Sequence, residues 1–468
     1  MRPSLAPHES GPPDLVERRP QPVDLLVRAR RAVLPGGELP AAVSVRGGRI
    51  VAVDPIDVVV PARDEVVLSD DEALLPGLVD THVHLQAPGR DGWEGFASGT
   101  RAALAGGVTT LVDMPLDGLP VTVDASALHA KRAAAEGACH ADVAFWGGAV
   151  PATTAQDLAD LAGAGVLGFK AYLCDSGLAE FPPLDADALA RIAALVADLG
   201  LPLLVHAELP APPPAASAPR SYADYLAAHP ATEELRAVEL VVDVARRTGA
   251  RLHVVHLSTA AAAERIALAR AAGTAVSGET CPHYLTLAAE EMPEPVAVGL
   301  VCPPVRESLE REGLWQALAH GSLGMVVSDH SPVPDAAKRP PDGDLSRVAP
   351  GISSVQLSLP LVWTGACARG HGLADVAAWM SAAPAALAGL AGRKGAIAVG
   401  HDADLVVFAP DEPVHVTPSR LWHRQSSTPY AGRELRGAVR RTWLRGVPVD
   451  LTVPTGRLLE GSSACASS

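Results

Sequence analysis

The sequence predicts an α/β protein: a (β/α)₈ TIM barrel with a small β-sandwich formed by the N- and C-terminal segments. Between residues 77 and 392, apolar runs alternate with Ala- and Leu-rich stretches, which is typical of parallel β/α units. About eight such units fit this length. Both ends carry short strand-like runs punctuated by Gly and Pro. An open doubly wound sheet is the alternative, but the chain has no GxGxxG or P-loop motif.

These patterns divide the chain into five segments. We predict a disordered N-terminal extension (1–22), the first part of the β-sandwich (23–76), the barrel (77–392), the second part of the sandwich (393–456) and a disordered tail (457–468). The extension is rich in Pro and charge and has no apolar h-region, so we do not interpret it as a secretory signal.

Individual strands follow from the apolar runs. In the sandwich they are expected at 24–29, 42–45, 49–53, 58–60, 65–68, 403–408 and 437–444. In the barrel they are expected near 78–84, 109–113, 141–146, 165–173, 201–207, 251–257, 274–278 and 325–328.

Composition excludes some classes of function. Of the 468 residues 48% are hydrophobic, which indicates a globular chain with a large core. The net charge of −15 argues against nucleic-acid binding, and no apolar run is long enough to span a membrane. The six cysteines form no CxxC pair, so we expect reduced thiols in a cytoplasmic protein.

The stretch 78–84, which reads LVDTHVH, contains the first candidate site residues. Side chains alternate along a strand, so His82 and His84 point the same way, about 7 Å apart. Two imidazoles on one face are suitable metal ligands. The alternative is a pair of ordinary histidines near a surface turn.

Polar residues end the other predicted barrel strands as well. In a barrel, function collects at the C-terminal ends of the strands. The residues at these ends are His82, His84, Lys170, His206, His256 and Asp329. Each alone could be a satisfied polar residue at a strand end, but six of one metal chemistry at equivalent positions predict a metal centre.

Lys170 is unusual because only four of the 38 basic residues are lysine: Lys131, Lys170, Lys338 and Lys394. A free ammonium would be repelled by metal ions, whereas a carbamate formed from lysine and CO₂ is an anion that bridges two metals. Guanidinium does not serve that purpose. The alternative is a buried aliphatic stem whose charged head reaches solvent.

Dense motifs recur in order along the chain: GLVDTHVHLQAPGR (77–90), WEGF (93–96), AGGVTT (105–110), DMP (113–115), GFKAY (168–172), GETCPHYL (278–285), CPPVR (302–306), SDHSP (328–332), RKG (393–395) and TPY (428–430). This pattern resembles the cyclic amidohydrolases, and within them most closely the allantoinase family. The resemblance covers nearly the whole chain beyond the first twenty or so residues.

The resemblance implies a barrel with two divalent metal ions, usually zinc. One ion would be held by His82, His84 and Asp329 and the other by His206 and His256, with carboxylated Lys170 bridging. Asp329 would move the proton from the nucleophile to the leaving nitrogen. The implied reaction opens a cyclic ureide, allantoin to allantoate in purine catabolism, in a homotetramer and without an organic cofactor.

Substrate choice depends on a few positions. Gln86 stands where dihydroorotases typically carry Arg, and a neutral amide suits an uncharged ureide. His283 stands where hydantoinases and dihydropyrimidinases usually have Gln. The run 347–352 lacks the Trp-Gly-Gly expected in the family, and Tyr172 replaces the frequent Phe. Ser331 is a candidate substrate hydrogen-bonding residue, or else a turn residue before a proline.

Two alternative functions fit the same sequence pattern, and two loops near the candidate ligands are of interest. A hydantoinase or dihydropyrimidinase type of cyclic amide hydrolase is the main alternative, and a non-catalytic scaffold on the same fold is a distant one. The scaffold is disfavoured because all six ligand positions are filled. Loops 210–220 and 332–350, rich in Pro, follow His206 and Asp329 and are expected to act as lids. They could also be plain surface loops.

Overall fold

The computed structural model describes residues 22–211, 219–293, 295–339 and 342–461. Nearly all of the predicted N-terminal extension, most of loop 210–220 and the last seven positions of the predicted tail lie outside the described residues. None of the helices in the described parts of the chain combines the length and apolarity that a bilayer crossing needs.

The secondary structure alternates strands and helices through the middle of the chain. The strands are β1 (Val23–Leu34), β2 (Gly37–Arg46), β3 (Arg49–Asp54), β4 (Ala62–Val67), β5 (Ala73–Pro76), β6 (Leu78–Val83), β7 (Val108–Asp113), β8 (Asp142–Phe145), β9 (Gly147–Gly148), β10 (Phe169–Tyr172), β11 (Leu203–His206), β12 (Leu252–Val254), β13 (Val276–Gly278), β14 (Leu405–His415), β15 (Glu434–Leu444) and β16 (Val447–Pro448). The α-helices are α1 (Phe96–Ala105), α2 (Ala125–Ala135), α3 (Ala155–Gly163), α4 (Ala186–Asp198), α5 (Tyr222–Ala228), α6 (Ala231–Thr248), α7 (Ala260–Ala271), α8 (Pro282–Thr286), α9 (Ser308–Ala319), α10 (Ser358–Ala368), α11 (Leu373–Ala377) and α12 (Ala383–Leu387).

Parallel strands β6 to β13 form a closed barrel. They make two runs of parallel pairs, β6-β7-β8 and β9-β10-β11-β12-β13. The Leu167 amide donates to the Phe145 carbonyl at 3.0 Å and joins the runs on one side. The segment 325–330 joins them on the other, through parallel bridges of Val326 with Thr280 and of His330 with Val83. Strands β8 and β9 are separated by a single residue and occupy one position in the barrel, so with that segment there are eight strand positions and the predicted (β/α)₈ barrel is confirmed.

Helix α6 shows why these stretches become helices. Glu233 and Glu234 lie in its first turn and Arg246 and Arg247 in its last, which complements the helix dipole at both ends. Gly249 ends the helix with φ of 72°, a left-handed conformation that glycine adopts without a Cβ clash. The chain then enters β12, which leads to His256.

The two ends of the chain form one small β unit, as predicted. Strand β5 pairs antiparallel with β14, and hydrogen bonds connect the strands in the order β16-β15-β14-β5-β1-β2-β3, with β4 added to β1. The buried Val27, Leu74, Leu405 and Trp443 belong to its core. The strand expected at 58–60 is wrong: this stretch is irregular, and Val59 is 94% exposed.

The predicted disordered tail differs from the structure where it is described. Leu458 bridges in parallel to Val143 of β8, and Leu459 is buried. The amide of Gly461 donates to the Gly165 carbonyl at 3.1 Å. Residues 457–461 therefore pack against the barrel. Burial of the apolar Leu459 side chain lowers the free energy relative to a tail exposed to solvent.

A buried ionic cluster fastens the barrel to the small β unit. The Lys394 Nζ lies 2.7 Å from Asp142, 3.0 Å from Asp402 and 2.6 Å from Asp404. Asp142 begins β8 of the barrel, whereas the other two aspartates precede β14. Arg445, after β15, also pairs with Asp142. We call Lys394 with these three aspartates the lysine–aspartate cluster.

Candidate metal centre

The mouth of the barrel opens into a pocket of about 820 Å³. Five of the six predicted ligand residues line it: His82, His84, His206, His256 and Asp329. The Nε2 atoms of His82 and His84 lie 3.3 and 3.6 Å from Asp329 Oδ1. Three donor atoms from two strand ends thus converge on one point.

The imidazoles continue around the mouth. The ring centroids of His82 and His256 are 5.3 Å apart, and those of His256 and His206 are 4.5 Å apart. Tyr172 stacks on His206 with centroids 4.5 Å apart, and the Lys170 Nζ lies 4.8 Å from the Tyr172 ring. The structure therefore brings all six predicted ligand positions to one place.

Carboxylates hold His82 and His84 from behind. The Nδ1 of His82 donates to Glu279 Oε1 at 2.6 Å, and the Nδ1 of His84 lies 2.7 Å from Asp117 Oδ2. The hydrogen bond to Glu279 places the proton of His82 on Nδ1 and leaves its Nε2 lone pair facing Asp329. Carboxylates of this kind fix the ring orientation of metal-binding histidines.

The other two histidines have a free nitrogen. The Nδ1 atoms of His206 and His256 are buried without a hydrogen-bond partner, while the Nε2 of His206 lies 3.4 Å from Glu208 Oε2. Burial lowers the pKa of both imidazoles. Neutral rings with a buried, unshared lone pair are the form that binds metal ions.

Lys170 is fully buried at the end of β10. Its Nζ has no hydrogen-bond partner, and burial lowers its pKa from 10.5 to about 8. A buried ammonium without a carboxylate partner is costly, so the uncharged amine is far easier to reach at neutral pH here than in an exposed lysine. The alternative of a head group that reaches solvent does not hold in this structure.

Backbone strain marks two of the ligand positions. His256 has φ of 38° and Asp329 has φ of 44°, in a region that side chains other than glycine rarely adopt. Such strain persists where the surrounding structure over-determines the conformation, and it clusters at functional sites. Here it turns both side chains toward the pocket.

The two candidate substrate residues both line the pocket. The Nε2 of Gln86 donates to the Pro332 carbonyl at 2.9 Å, while its Oε1 is buried without a donor. The Ser331 hydroxyl donates to the Asp329 carbonyl at 3.0 Å and accepts from the Ile352 amide at 3.4 Å. Gln86 thus offers a free acceptor, whereas Ser331 is engaged in its turn.

The second predicted lid also lies at the pocket. Leu345, Arg347 and Val348 from loop 332–350 form part of its wall. Loop 210–220 is described only at its edges, of which Pro219 lines the pocket. Both loops therefore have described residues that shape the opening.

Sequence reasoning missed the residues that support the ligands. Glu279 and Asp117 hold the two histidines of β6, and His253 donates from Nε2 to Glu279 Oε2 at 3.0 Å. Asp80 accepts from the Ser328 and His82 amides at 3.1 Å each. Glu279 follows β13, so a strand-end search extended to the carboxylates would have found it.

A closed β/α barrel whose mouth gathers histidines, a carboxylate and a buried lysine has the architecture of a metal-dependent hydrolase. The Amidohydrolase family model matches residues 73–449, and the chain belongs to that family. This family generally uses two metal ions.

Individual relatives agree with this assignment. The chain is 50% identical to an allantoinase of Streptomyces avermitilis over 93% of this chain and 98% of that protein. It is 41% identical to an allantoinase of Arabidopsis thaliana over 94% and 90%. Among solved structures, an L-hydantoinase (dihydropyrimidinase) from Arthrobacter aurescens superposes with a TM-score of 0.86 at 27% identity, covering 94% of this chain and 98% of that one.

Proposed function

We propose that this protein is an allantoinase, which hydrolyses allantoin to allantoate in purine catabolism with the aid of two zinc ions. His82, His84 and Asp329 would hold one ion, and His206 and His256 the other. Lys170, carboxylated by CO₂, would bridge them. The observation that carries the metal proposal is the buried Lys170 amine, which has no partner and stands among these ligands.

The residues present fit such a pair of ions. The Nδ1 atoms of His206 and His256 and the Nζ of Lys170 are all buried polar atoms without a hydrogen-bond partner. Unsatisfied buried groups are costly, and a native structure retains them where an unseen ligand satisfies them. Imidazole nitrogens and carboxylate oxygens are ligands of zinc.

Carboxylation of Lys170 balances as follows. The neutral amine attacks the carbon of CO₂, an N–C bond forms, and one proton leaves to solvent. The product is an anion where the unmodified side chain would be neutral or cationic. This change suits a place that holds cations and has no carboxylate facing Lys170 within hydrogen-bonding distance among the described residues.

When bound, the two ions supply a strong nucleophile at neutral pH and polarise the scissile carbonyl. The chain's own groups do the rest. Asp329 takes the proton from the attacking water and delivers it to the leaving ring nitrogen. Glu279 and Asp117 hold the imidazoles of His82 and His84 in place during this transfer.

The choice of allantoin is supported by the relatives and by two pocket positions. Gln86 places an uncharged amide in the pocket, with its Oε1 free to accept from a ureide N–H. His283 is fully buried, and neither ring nitrogen has a partner. Burial lowers its pKa to about 4, so it contributes no charge. Neither position supplies the positive charge that would select an anionic ring over an uncharged one.

A substrate panel tests this proposal. Zinc-loaded protein is assayed with allantoin, hydantoin, dihydrouracil and dihydroorotate. We expect the highest kcat/KM for allantoin and the lowest for dihydroorotate, whose carboxylate finds no Arg at position 86. Fast opening of hydantoin with poor turnover of allantoin would contradict the proposal and favour the hydantoinase alternative.

The proposal includes a cytoplasmic homotetramer. Five cysteines of the described residues are free thiols: Cys139, Cys174, Cys281, Cys302 and Cys367. Free thiols are usual in a reducing compartment. The tetramer rests on the family resemblance, and light scattering of the purified protein tests it: a monomeric mass would contradict it.

A further inference from the structure

A second group of metal-binding side chains lies beside the proposed zinc centre. The Cys302 thiol donates to Glu208 Oε2 at 3.1 Å, and the His229 Nδ1 donates to Glu208 Oε1 at 2.8 Å. The Cys302 Sγ and His229 Nδ1 are 3.9 Å apart. We call Glu208, His229 and Cys302 the thiol cluster. None of its members was among the six predicted ligands.

The three residues come from different parts of the chain. Glu208 follows β11, His229 ends α5, and Cys302 precedes the segment that leads to α9. His229 and Cys302 line the pocket, and 29% of the His229 side chain is exposed, whereas Glu208 is buried. A small ion in the pocket therefore reaches the cluster without any rearrangement of the fold.

The donor atoms have the spacing of a divalent-ion site. For zinc, bonds of about 2.3 Å to sulfur and about 2.0 Å to nitrogen or oxygen give tetrahedral ligand-to-ligand distances of roughly 3.3–3.6 Å. Cys302 contacts Oε2 of Glu208 at 3.1 Å, His229 contacts Oε1 at 2.8 Å, and the sulfur and nitrogen are 3.9 Å apart. One donor atom from each of the three residues lies within 4.8 Å of the other two, so small side-chain movements would let these three donor atoms surround one ion.

A fourth ligand is close by. The Cys174 Sγ, the Glu208 carboxylate and a His206 ring nitrogen all lie within 4.8 Å of one another. Cys174 follows β10 by two residues, and its neighbour Glu208 is also a member of the thiol cluster. Two thiols, an imidazole and a carboxylate make a donor set that prefers borderline-soft ions over magnesium or calcium.

We propose that the thiol cluster is an accessory binding site for one thiophilic divalent cation of the zinc or cadmium type, separate from the two-ion centre. Binding replaces the Cys302 S–H bond with a sulfur–metal bond and releases one proton to solvent. The His229 proton moves from Nδ1 to Nε2 or leaves, since Nδ1 becomes the ligand. No oxidant or further reactant is required.

Occupation of this site has a consequence for the neighbouring centre. Glu208 Oε2 is shared, because it lies 3.1 Å from Cys302 and 3.4 Å from the Nε2 of His206. An ion that draws Glu208 toward Cys302 removes the carboxylate that orients His206. The ion also occupies the pocket wall, so excess zinc should inhibit the enzyme.

Cadmium provides a readout that is independent of activity. The six ligands proposed for the two-ion centre include no sulfur, so a thiolate-to-cadmium charge-transfer band in the ultraviolet reports on a cysteine site alone. The protein is first loaded with two equivalents of zinc and then titrated with cadmium. We expect the band to rise and to saturate at one equivalent of sulfur-bound cadmium.

Single-residue variants locate the band. Cys302→Ser should abolish it, and His229→Gln should weaken cadmium binding by about 10-fold or more. Cys139→Ser is the matched control, since Cys139 lies under α2 and its thiol contacts the Ala135 carbonyl. Loss of the band in Cys281→Ser but not in Cys302→Ser would overturn the proposal, because Cys281 lies near His283 and Asp329. Absence of any band in the parent protein would also overturn it.

Inhibition by excess zinc distinguishes a failure of this proposal from a failure of the proposed function. If allantoin is the substrate, excess zinc should inhibit the parent and not Cys302→Ser. If allantoin is not turned over, the cadmium band and its loss in Cys302→Ser remain interpretable, because neither depends on the reaction. A band that saturates without inhibition of an active parent would overturn the coupling through Glu208.

Discussion

Two buried lysines show how this chain treats a cation in its interior. Lys394 lies among three aspartates, with contacts of 2.6–3.0 Å, and those carboxylates raise its pKa against the effect of burial. Lys170 has no hydrogen-bond partner, and burial lowers its pKa to about 8. The same side chain is thus held as a permanent cation in one place and left as a reactive amine in the other.

The same contrast explains why the lysine–aspartate cluster needs no metal ion. Asp142, Asp402 and Asp404 have oxygens close enough to bind a metal ion, but the Lys394 ammonium already occupies the space between them. Arg445 adds a second cation on Asp142. Arg393 pairs with Asp402, so three cations face the three carboxylates without a metal ion there, whereas Lys170 has no carboxylate in hydrogen-bond contact among the described residues.

Removal of Lys170 should have the largest effect. We expect Lys170→Ala to lose bound metal and to lower kcat/KM by ~10³-fold or more, because several kcal/mol of transition-state stabilisation depend on the ions. Metal analysis and the allantoin assay measure this. Lys338→Met is the control and should keep its metal, since Lys338 donates to the Leu300 carbonyl and is not one of the six proposed ligands.

An added short carboxylic acid sharpens this test. If the missing group is a carbamate, a small carboxylate that enters the space vacated in Lys170→Ala should restore part of the metal content and activity. Full metal content in Lys170→Ala without any additive would contradict the bridging role.

Removal of Lys394 should destabilise the folded protein rather than empty its metal centre. Lys394→Met leaves three buried carboxylates with fewer cations, and breaking a buried ion pair costs about 3–5 kcal/mol. Urea unfolding of the metal-free protein should show this loss in the free energy of unfolding, while the folded variant keeps its metal. Arg393→Gln, which alters a partly exposed pair with Asp402, should cost under about 1 kcal/mol.

Glu279→Gln tests the support behind His82. The amide keeps the size of the side chain but weakens its hold on His82 Nδ1 and on His253. We expect metal affinity to fall about 10- to 100-fold, with KM for allantoin little changed at saturating metal. Ser277→Ala, which touches only the distal nitrogen of His253, should keep its metal affinity.

Lys338 gives the smallest effect and a defined pH dependence. Burial lowers its pKa from 10.5 to about 7, so between these values the unfolded state binds more protons than the folded state. Its contribution to stability therefore rises as the pH increases from about 7 to about 10. Lys338→Met should be more stable than the parent at pH 7, and urea titrations at pH 7 and 9 should show the difference in the free energy of unfolding shrinking as the pH rises.

Much of the barrel, and the meeting of the six candidate residues at its mouth, could be predicted because the signals are local. A strand with two-residue alternation places His82 and His84 on one face, and the ends of parallel strands meet at one edge. The supporting contacts could not be predicted in this way. Glu279 meets His82 across 197 positions of sequence, and no periodicity connects them.

The same limit explains the errors at the edges of the fold. The run 58–60 has the composition of a strand but finds no partner strand in the structure. Residues 457–461 follow a Pro- and Gly-containing stretch and resemble a free tail, yet they dock on β8. Lys394 is one of only four lysines in the sequence. Composition alone does not reveal that it meets three aspartates, because Asp142 is distant from it in the sequence.

The pairing of β5 with β14 has a consequence for synthesis on the ribosome. Strands β1 to β5 emerge first, but the edge of β5 finds its partner only after the whole barrel has been translated. Until then the edge of β5 in the nascent chain stays unpaired. An unpaired strand edge can pair with other chains. Chaperone demand during translation should therefore fall on the first part of the small β unit, and it should end when β14 leaves the exit tunnel.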